Sequence, residues 1–243
     1  MPRRLSRFSV RAIVTLVAGL IGATLASADE ADVERLRTDW AQLSQYRDAN
    51  HRLPPPGAAQ PRVIFLGDSL TQGWDLAGLG LDKAELLNRG ISGQTTPQML
   101  VRFRQDVVSL KPAVVHILAG TNDLAGNTGP TTLEAIEDNL SSMVEIAEAS
   151  HIRVVLASVL PALDYPWRRG LQPAPKIVAL NDWLRAYAAQ HKLVYADYYA
   201  ALVDSRGGFK SELADDGVHP NGAGYAVMSP IARQAVRQAL AAN

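Results

Sequence analysis

The chain has 243 residues, 47% of them hydrophobic, no cysteine, and 24 basic against 24 acidic side chains. That length suits one domain of moderate size, or two at most, with ample material for a buried core. The composition excludes any disulfide, any cysteine-held metal and any long disordered tail, and it offers no basic patch for a nucleic acid.

The balanced charge hides an asymmetry. Residues 1–28 carry Arg3, Arg4, Arg7 and Arg11 and no acid; without them 20 basic residues face 24 acidic ones, a net of −4. After the arginines comes an apolar stretch, Ala12 to Ile21, then the small residues Ala26-Ser27-Ala28. This is the pattern of a secretory signal peptide cleaved before Asp29, which places the mature protein in the periplasm or outside the cell. An uncleaved anchor would need ~20 apolar residues, more than this stretch supplies. A lipoprotein anchor is excluded by the lack of cysteine, and no other segment is apolar enough to span a bilayer, so no stable membrane span is expected.

Residues 29–50 read as a helix, with Val33, Leu36, Trp40 and Leu43 at three- and four-residue spacing. Leu53-Pro54-Pro55-Pro56-Gly57 ends it as a linker, so residues 29–61 form an N-terminal helix and a Pro-rich linker ahead of a domain at 62–243. From Arg62 the pattern alternates. Strands are predicted at Val63–Leu66, Leu86–Asn88, Ala113–Leu118, Arg153–Val159 and Leu193–Ala196. Helices are predicted over 96–110, 131–149 and 175–190, with a last one capped by Asn221 and broken or restarted at Pro230. Strands alternating with helices imply an α/β fold: a five-stranded parallel sheet of flavodoxin-like order covered on both faces, a three-layer α/β/α sandwich. Sites in such sheets form beyond the carboxyl ends of the strands.

Four segments at those ends carry the chemistry. Gly67-Asp68-Ser69-Leu70-Thr71 follows the first strand and offers a hydroxyl nucleophile, Ser69, at a helix start whose positive end suits an oxyanion. Asn88-Arg89-Gly90 offers a backbone N–H at Gly90, in a close approach or a left-handed turn. Gly120-Thr121-Asn122-Asp123 offers the side-chain amide of Asn122, which is otherwise a turn asparagine. Asp216-Gly217-Val218-His219-Pro220 offers an imidazole base, His219, kept on a loop by Pro220, with a carboxylate three residues upstream. Asp215 rivals Asp216 as the acid. Asp68 and Arg89 read as structural, and His51, His116, His151 and His191 as surface or packed residues. The histidines lack metal-ligand spacing and no phosphate-binding glycine loop is present, so no metal and no cofactor is expected.

The four segments together resemble the blocks of the SGNH hydrolases, the GDSL esterase/lipase family, from about Arg62 to about Leu240. The family's serine, glycine, asparagine and histidine match Ser69, Gly90, Asn122 and His219. The resemblance implies the SGNH hydrolase fold and an acyl-serine mechanism. In it Ser69 attacks, His219 moves the proton, Asp216 orients the histidine, and Ser69, Gly90 and Asn122 form the oxyanion hole. The family spacing favours Asp216 over Asp215. The pattern Asp-Gly-Val-His-Pro-Asn is similar to bacterial esterases of the platelet-activating factor acetylhydrolase type, which implies short-acyl esters. A carbohydrate O-acetylesterase acting on an extracellular or envelope polysaccharide, and an inactive binding module of the same fold, are the alternatives. The loop from Pro161 to Gly170, with Trp167 and Arg168, is either a wall of the substrate pocket or a rigid surface loop.

Overall fold

The computed structural model describes residue 34, residues 37–57 and residues 59–242. The chain divides into two units, Met1–Gln42 and Leu43–Asn243. The stretch expected to be a signal peptide, residues 1–28, lies outside the described residues. In the first unit the Thr38 hydroxyl donates to the Glu34 carbonyl at 2.9 Å, one helical turn away. The helix expected over 29–50 does not run through: Gln42 takes a left-handed conformation, φ 54°, which stops a helix. The second unit has its own short helix, α1 (Arg47–Arg52). The Pro-rich segment after α1 is pinned rather than free, because the buried Arg62 guanidinium donates to the Pro54 and Leu110 carbonyls, both at 2.7 Å.

The second unit is a doubly wound α/β domain. Its elements run β1 (Arg62–Gly67), α2 (Ser69–Gln72), β2 (Glu85–Gly90), α3 (Thr96–Asp106), β3 (Val114–Leu118), α4 (Thr121–Leu124) and α5 (Leu133–Ala149). They continue with β4 (Arg153–Ala157), α6 (Ala174–Gln190), β5 (Val194–Ala196), α7 (Tyr198–Leu202) and α8 (Gly222–Ala241). All strand pairs are parallel, in the order β2-β1-β3-β4-β5. This is the expected flavodoxin-like sheet.

Side chains alternate across the central strands, as a pleat requires. Ile64, Leu66, Val115, Ile117, Val154 and Leu156 face one core, with Met99 and Phe103 of α3, Ile136, Leu140 and Val144 of α5, and Ile177, Leu180 and Leu184 of α6. Val63, Phe65, Val114, Leu118 and Val155 face the other, with Leu202 of α7 and Met228, Ala232 and Val236 of α8. Each large aliphatic side chain buried this way contributes about 1.5–3 kcal/mol. Burial on both faces explains why the central strands read as continuous apolar runs. His116 packs as expected: it stacks on Phe65 at 4.6 Å, Nε2 pairs with the Tyr198 hydroxyl at 2.8 Å, and burial pushes its pKa down to about 3.

The last helix departs from expectation. Pro230 does not break α8, which runs unbroken for 20 residues. Packing outweighs the lost hydrogen bond, since Met228, Ala232, Ala235, Val236 and Ala239 lie buried along one stripe. Asn221 caps the helix, as expected, by accepting the Ala223 and Gly224 N–H groups.

Candidate active site

Register places the site. Gly67 at the end of β1 pairs with Gly90 on β2 and Leu118 on β3, so the three chain ends leave the sheet at one edge. Ser69 begins α2, directly after β1. Its N-cap, Asp68, accepts the Leu70 N–H at 2.9 Å, the structural role expected of that aspartate. The Ser69 N–H has no partner among the described residues.

His219 arrives from the loop before α8. The Tyr225 hydroxyl donates to the Leu70 carbonyl at 3.0 Å, which ties α8 to the nucleophile helix. Ser69 Oγ lies 2.9 Å from His219 Nε2, and His219 Nδ1 lies 2.7 Å from Asp216 Oδ2. A carboxylate only accepts, so Nδ1 carries the proton, Nε2 presents its lone pair and the serine hydroxyl donates to it. Burial works against ionisation of Asp216. The N–H groups of His219 and Val218 and the imidazole outweigh it and hold the carboxyl below its ordinary range. Asp215 is engaged elsewhere, accepting the Asn221 side-chain N–H at 2.9 Å. The arrangement can carry a proton from serine to imidazole while the carboxylate holds the ring.

The oxyanion side differs from the sequence reading at Gly90. This glycine is the last residue of β2 rather than a left-handed turn, and its N–H already donates to Asn88 Oδ1 at 2.9 Å. A Cβ there would lie 2.2 Å from the Gln72 backbone nitrogen, so α2 packs against a residue with no side chain. Three residues on, Gly93 has φ 77° and an N–H with no partner among the described residues. It is bracketed by contacts on both sides: Ser92 N–H donates to Gln72 Oε1 of α2 at 2.7 Å, and the Gln94 carbonyl accepts from Asn122 at 3.1 Å. The sequence signal for it was the second glycine of the Gly90-Ile91-Ser92-Gly93 run.

Asn122, on α4, sits beneath the serine turn. Its Nδ2 donates to Asp68 Oδ2 at 3.0 Å and to the Gln94 carbonyl, so an oxyanion must compete with one of these acceptors. The Asp68 carboxyl is fully buried. Desolvation pushes its pKa up to about 7 against the pull of the Leu70 N–H and of His219. Asp123 turns away and accepts the Thr96 N–H and hydroxyl at the start of α3; burial raises it to about 6. A buried arginine that sequence reasoning passed over, Arg102 of α3, donates to the Gly67 carbonyl at 3.0 Å and Gln94 Oε1 at 2.6 Å. It joins the end of β1 to the loop that holds Gly93.

The loop from Pro161 to Gly170 is braced by its own hydrogen bonds and also lies against the site. Asp164 accepts the Gly170 and Leu171 N–H groups, and the Trp167 ring lies 5.9 Å from that of His219. The Arg168 guanidinium donates to the Gly126 carbonyl at 2.5 Å. Loop residues line two flanking cavities. One, of about 370 Å³, includes Tyr165, Phe209 and Asp216; the other, of about 350 Å³, includes Gly126, Arg168 and Leu171. Trp74 is buried just beyond α2, against Phe65 and Tyr225. Among the described residues no cluster of metal-binding side chains occurs and no helix is long and apolar enough to cross a membrane.

Comparison with known proteins agrees with this architecture. A GDSL-like lipase of Bacteroides thetaiotaomicron is 40% identical in sequence, superposes with a TM-score of 0.78, and is matched over 83% of this chain and all of its own. The isoamyl acetate-hydrolyzing esterase 1 homolog of Bos taurus is 32% identical over 187 residues, 65% of this chain and 74% of that protein. The lipoprotein YqeF of Bacillus subtilis is 26% identical over 170 residues, and the match spans only 61% of its length. The profile of the GDSL-like Lipase/Acylhydrolase family matches residues 65–227, more than half of the chain, and with the sheet order and site just described the chain belongs to that family of carboxylic ester hydrolases.

Proposed function

We propose that the protein is an exported serine esterase acting on carboxylic esters of short acyl chains. The hydrogen-bonded line Ser69 Oγ to His219 Nε2 (2.9 Å) and His219 Nδ1 to Asp216 Oδ2 (2.7 Å) carries the reading. Ser69 Oγ attacks the ester carbonyl as its proton passes to His219 Nε2. The tetrahedral oxyanion accepts hydrogen bonds from the Ser69 and Gly93 N–H groups and from Asn122 Nδ2. Gly93 takes the place first given to Gly90, because the Gly90 N–H is bonded within its own strand end. His219 then protonates the leaving alkoxide as the tetrahedral species collapses to acyl-serine. A water molecule, deprotonated by His219, releases the acid and restores the Ser69 hydroxyl.

The cattle relative's name supports acetate esters as substrates. The apolar stretch and Ala26-Ser27-Ala28 site of residues 1–28 support export. The exposed Trp167 ring beside His219 leaves room for a second reading, in which a sugar supplies the alcohol. Hydrolysis of p-nitrophenyl acetate, longer acyl esters and acetylated xylan compares the readings. A phosphonate that fails to label Ser69 would overturn the nucleophile assignment and favour a binding module. N-terminal sequencing of the secreted protein is expected to begin at Asp29.

A further inference from the structure

The carboxamide of Asn127, in the loop after α4, meets three walls of the site. Its Nδ2 donates to Asn122 Oδ1 at 2.8 Å and to the Gly93 carbonyl at 3.2 Å. Its Oδ1 accepts the Trp167 indole N–H at 3.1 Å. Its own N–H donates to the Asn122 carbonyl at 3.0 Å, so its backbone is fixed as well.

A carboxamide turned by 180° keeps its shape and exchanges donor for acceptor, so its partners decide its orientation. An indole nitrogen only donates and a peptide carbonyl only accepts. Trp167 and Gly93 therefore fix Asn127 with its oxygen toward the indole and its nitrogen toward the glycine loop. The second hydrogen of that nitrogen meets Asn122, which must answer with its oxygen. Asn122 Nδ2 is thereby aimed at Asp68 and the Gln94 carbonyl, on the floor of the serine turn. When an oxyanion draws one of these hydrogens from its resting acceptor, the contact with Asn127 is the one that persists.

We propose that Asn127 is a positioning residue: oriented by the Trp167 indole, it holds the Asn122 carboxamide with its nitrogen toward the developing oxyanion. This rests on the reading of Asn122 as an oxyanion donor. It gives Trp167 a role that does not require contact with substrate.

Steady-state kinetics on p-nitrophenyl acetate test it with Asn122→Ala, Asn127→Ala, Trp167→Phe and the doubles N122A/N127A and N122A/W167F. Asn122→Ala is expected to lower kcat by about 10²–10³-fold, and Asn127→Ala by roughly tenfold or more with KM nearly unchanged. Trp167→Phe, which keeps a ring beside His219 but loses the donor, should lower kcat less. In the Asn122→Ala background both second changes are expected to cost nothing further, because their target is gone. A residue that merely braces the loop would cost the same in either background, and that result overturns the proposal. So does an unchanged kcat in Asn127→Ala. Should Asn127→Ala not fold by circular dichroism, Trp167→Phe and its double decide by the same criterion. An Asn122→Ala variant with full kcat sinks the oxyanion reading and this relay together. A costly Asn122→Ala beside silent or additive partners sinks the relay alone.

Discussion

The two halves of the site are built differently. On the nucleophile side, Asp68, Gln94, Arg102 and Asn122 are all buried and hydrogen-bonded to one another or to a strand end. On the proton-handling side, the His219 and Asp216 side chains are 39% and 41% exposed, and short-range bonds within one loop hold them. A buried network in a low-dielectric setting keeps its dipoles fixed where charge develops. An exposed imidazole and carboxylate exchange protons with solvent and admit the hydrolytic water. The fold thus makes the electrostatic half stiff and the acid–base half wet.

Substitutions separate the halves by what they damage. Ser69→Ala and His219→Ala are expected to reduce kcat on p-nitrophenyl acetate by about 10⁴-fold or more, leaving the urea midpoint near that of the parent. Asp216→Asn removes the charge that sets the tautomer and should cost about 10²–10⁴-fold in kcat, again with little change in stability. A large fall in stability for either loop variant would break the distinction between the halves.

Gly90→Ala should act the other way, because the added methyl strikes the α2 backbone. A stability loss of about 3 kcal/mol in urea unfolding is expected, with any loss of activity following from it. Gly93→Ala meets nothing closer than Asn127 Nδ2 at 3.9 Å and should cost only about 1 kcal/mol, from its positive φ.

Asp68 gives the smallest and most specific signal. Burial raises its folded pKa to about 7 from 3.8, so between those values the native state holds more protons than the unfolded chain. Its contribution therefore favours the fold at low pH and is lost as pH climbs from about 4 to about 7. Buried His116 has the opposite sign, adding stability as pH rises from about 3 to 6.5. The difference in unfolding free energy between the parent and Asp68→Asn, followed over pH 4–7, isolates the aspartate. An unchanged difference across that range would contradict a desolvated carboxyl.

What the sequence disclosed follows the same division. The serine turn and the Asp216–His219 loop are contiguous strings whose chemistry is visible in residue order, and the apolar runs announced the sheet. The misreadings arose where partners lie far apart in the chain. Pro230 is helical because a buried stripe on α8 has the sheet beneath it. Gly90 makes the close approach that was one of its two readings, but to α2, and its N–H is taken up by Asn88. Arg102 and Asn127 look like ordinary polar residues of a helix and a loop until the strand end, the glycine loop and Trp167 are brought to them. The helix expected over 29–50 had periodic apolar residues, but periodicity alone could not place the break at Gln42.

The hydroxyl and the imidazole that meet at 2.9 Å are 150 residues apart along the chain. During synthesis the sheet's first strand and the serine leave the ribosome long before the base does, and domains complete their packing only as the last elements emerge. Under the proposed mechanism a nascent chain cut short of residue 219 holds an inert alcohol, and ester turnover begins only when the final helix docks, which makes the appearance of activity a timer for the completion of folding.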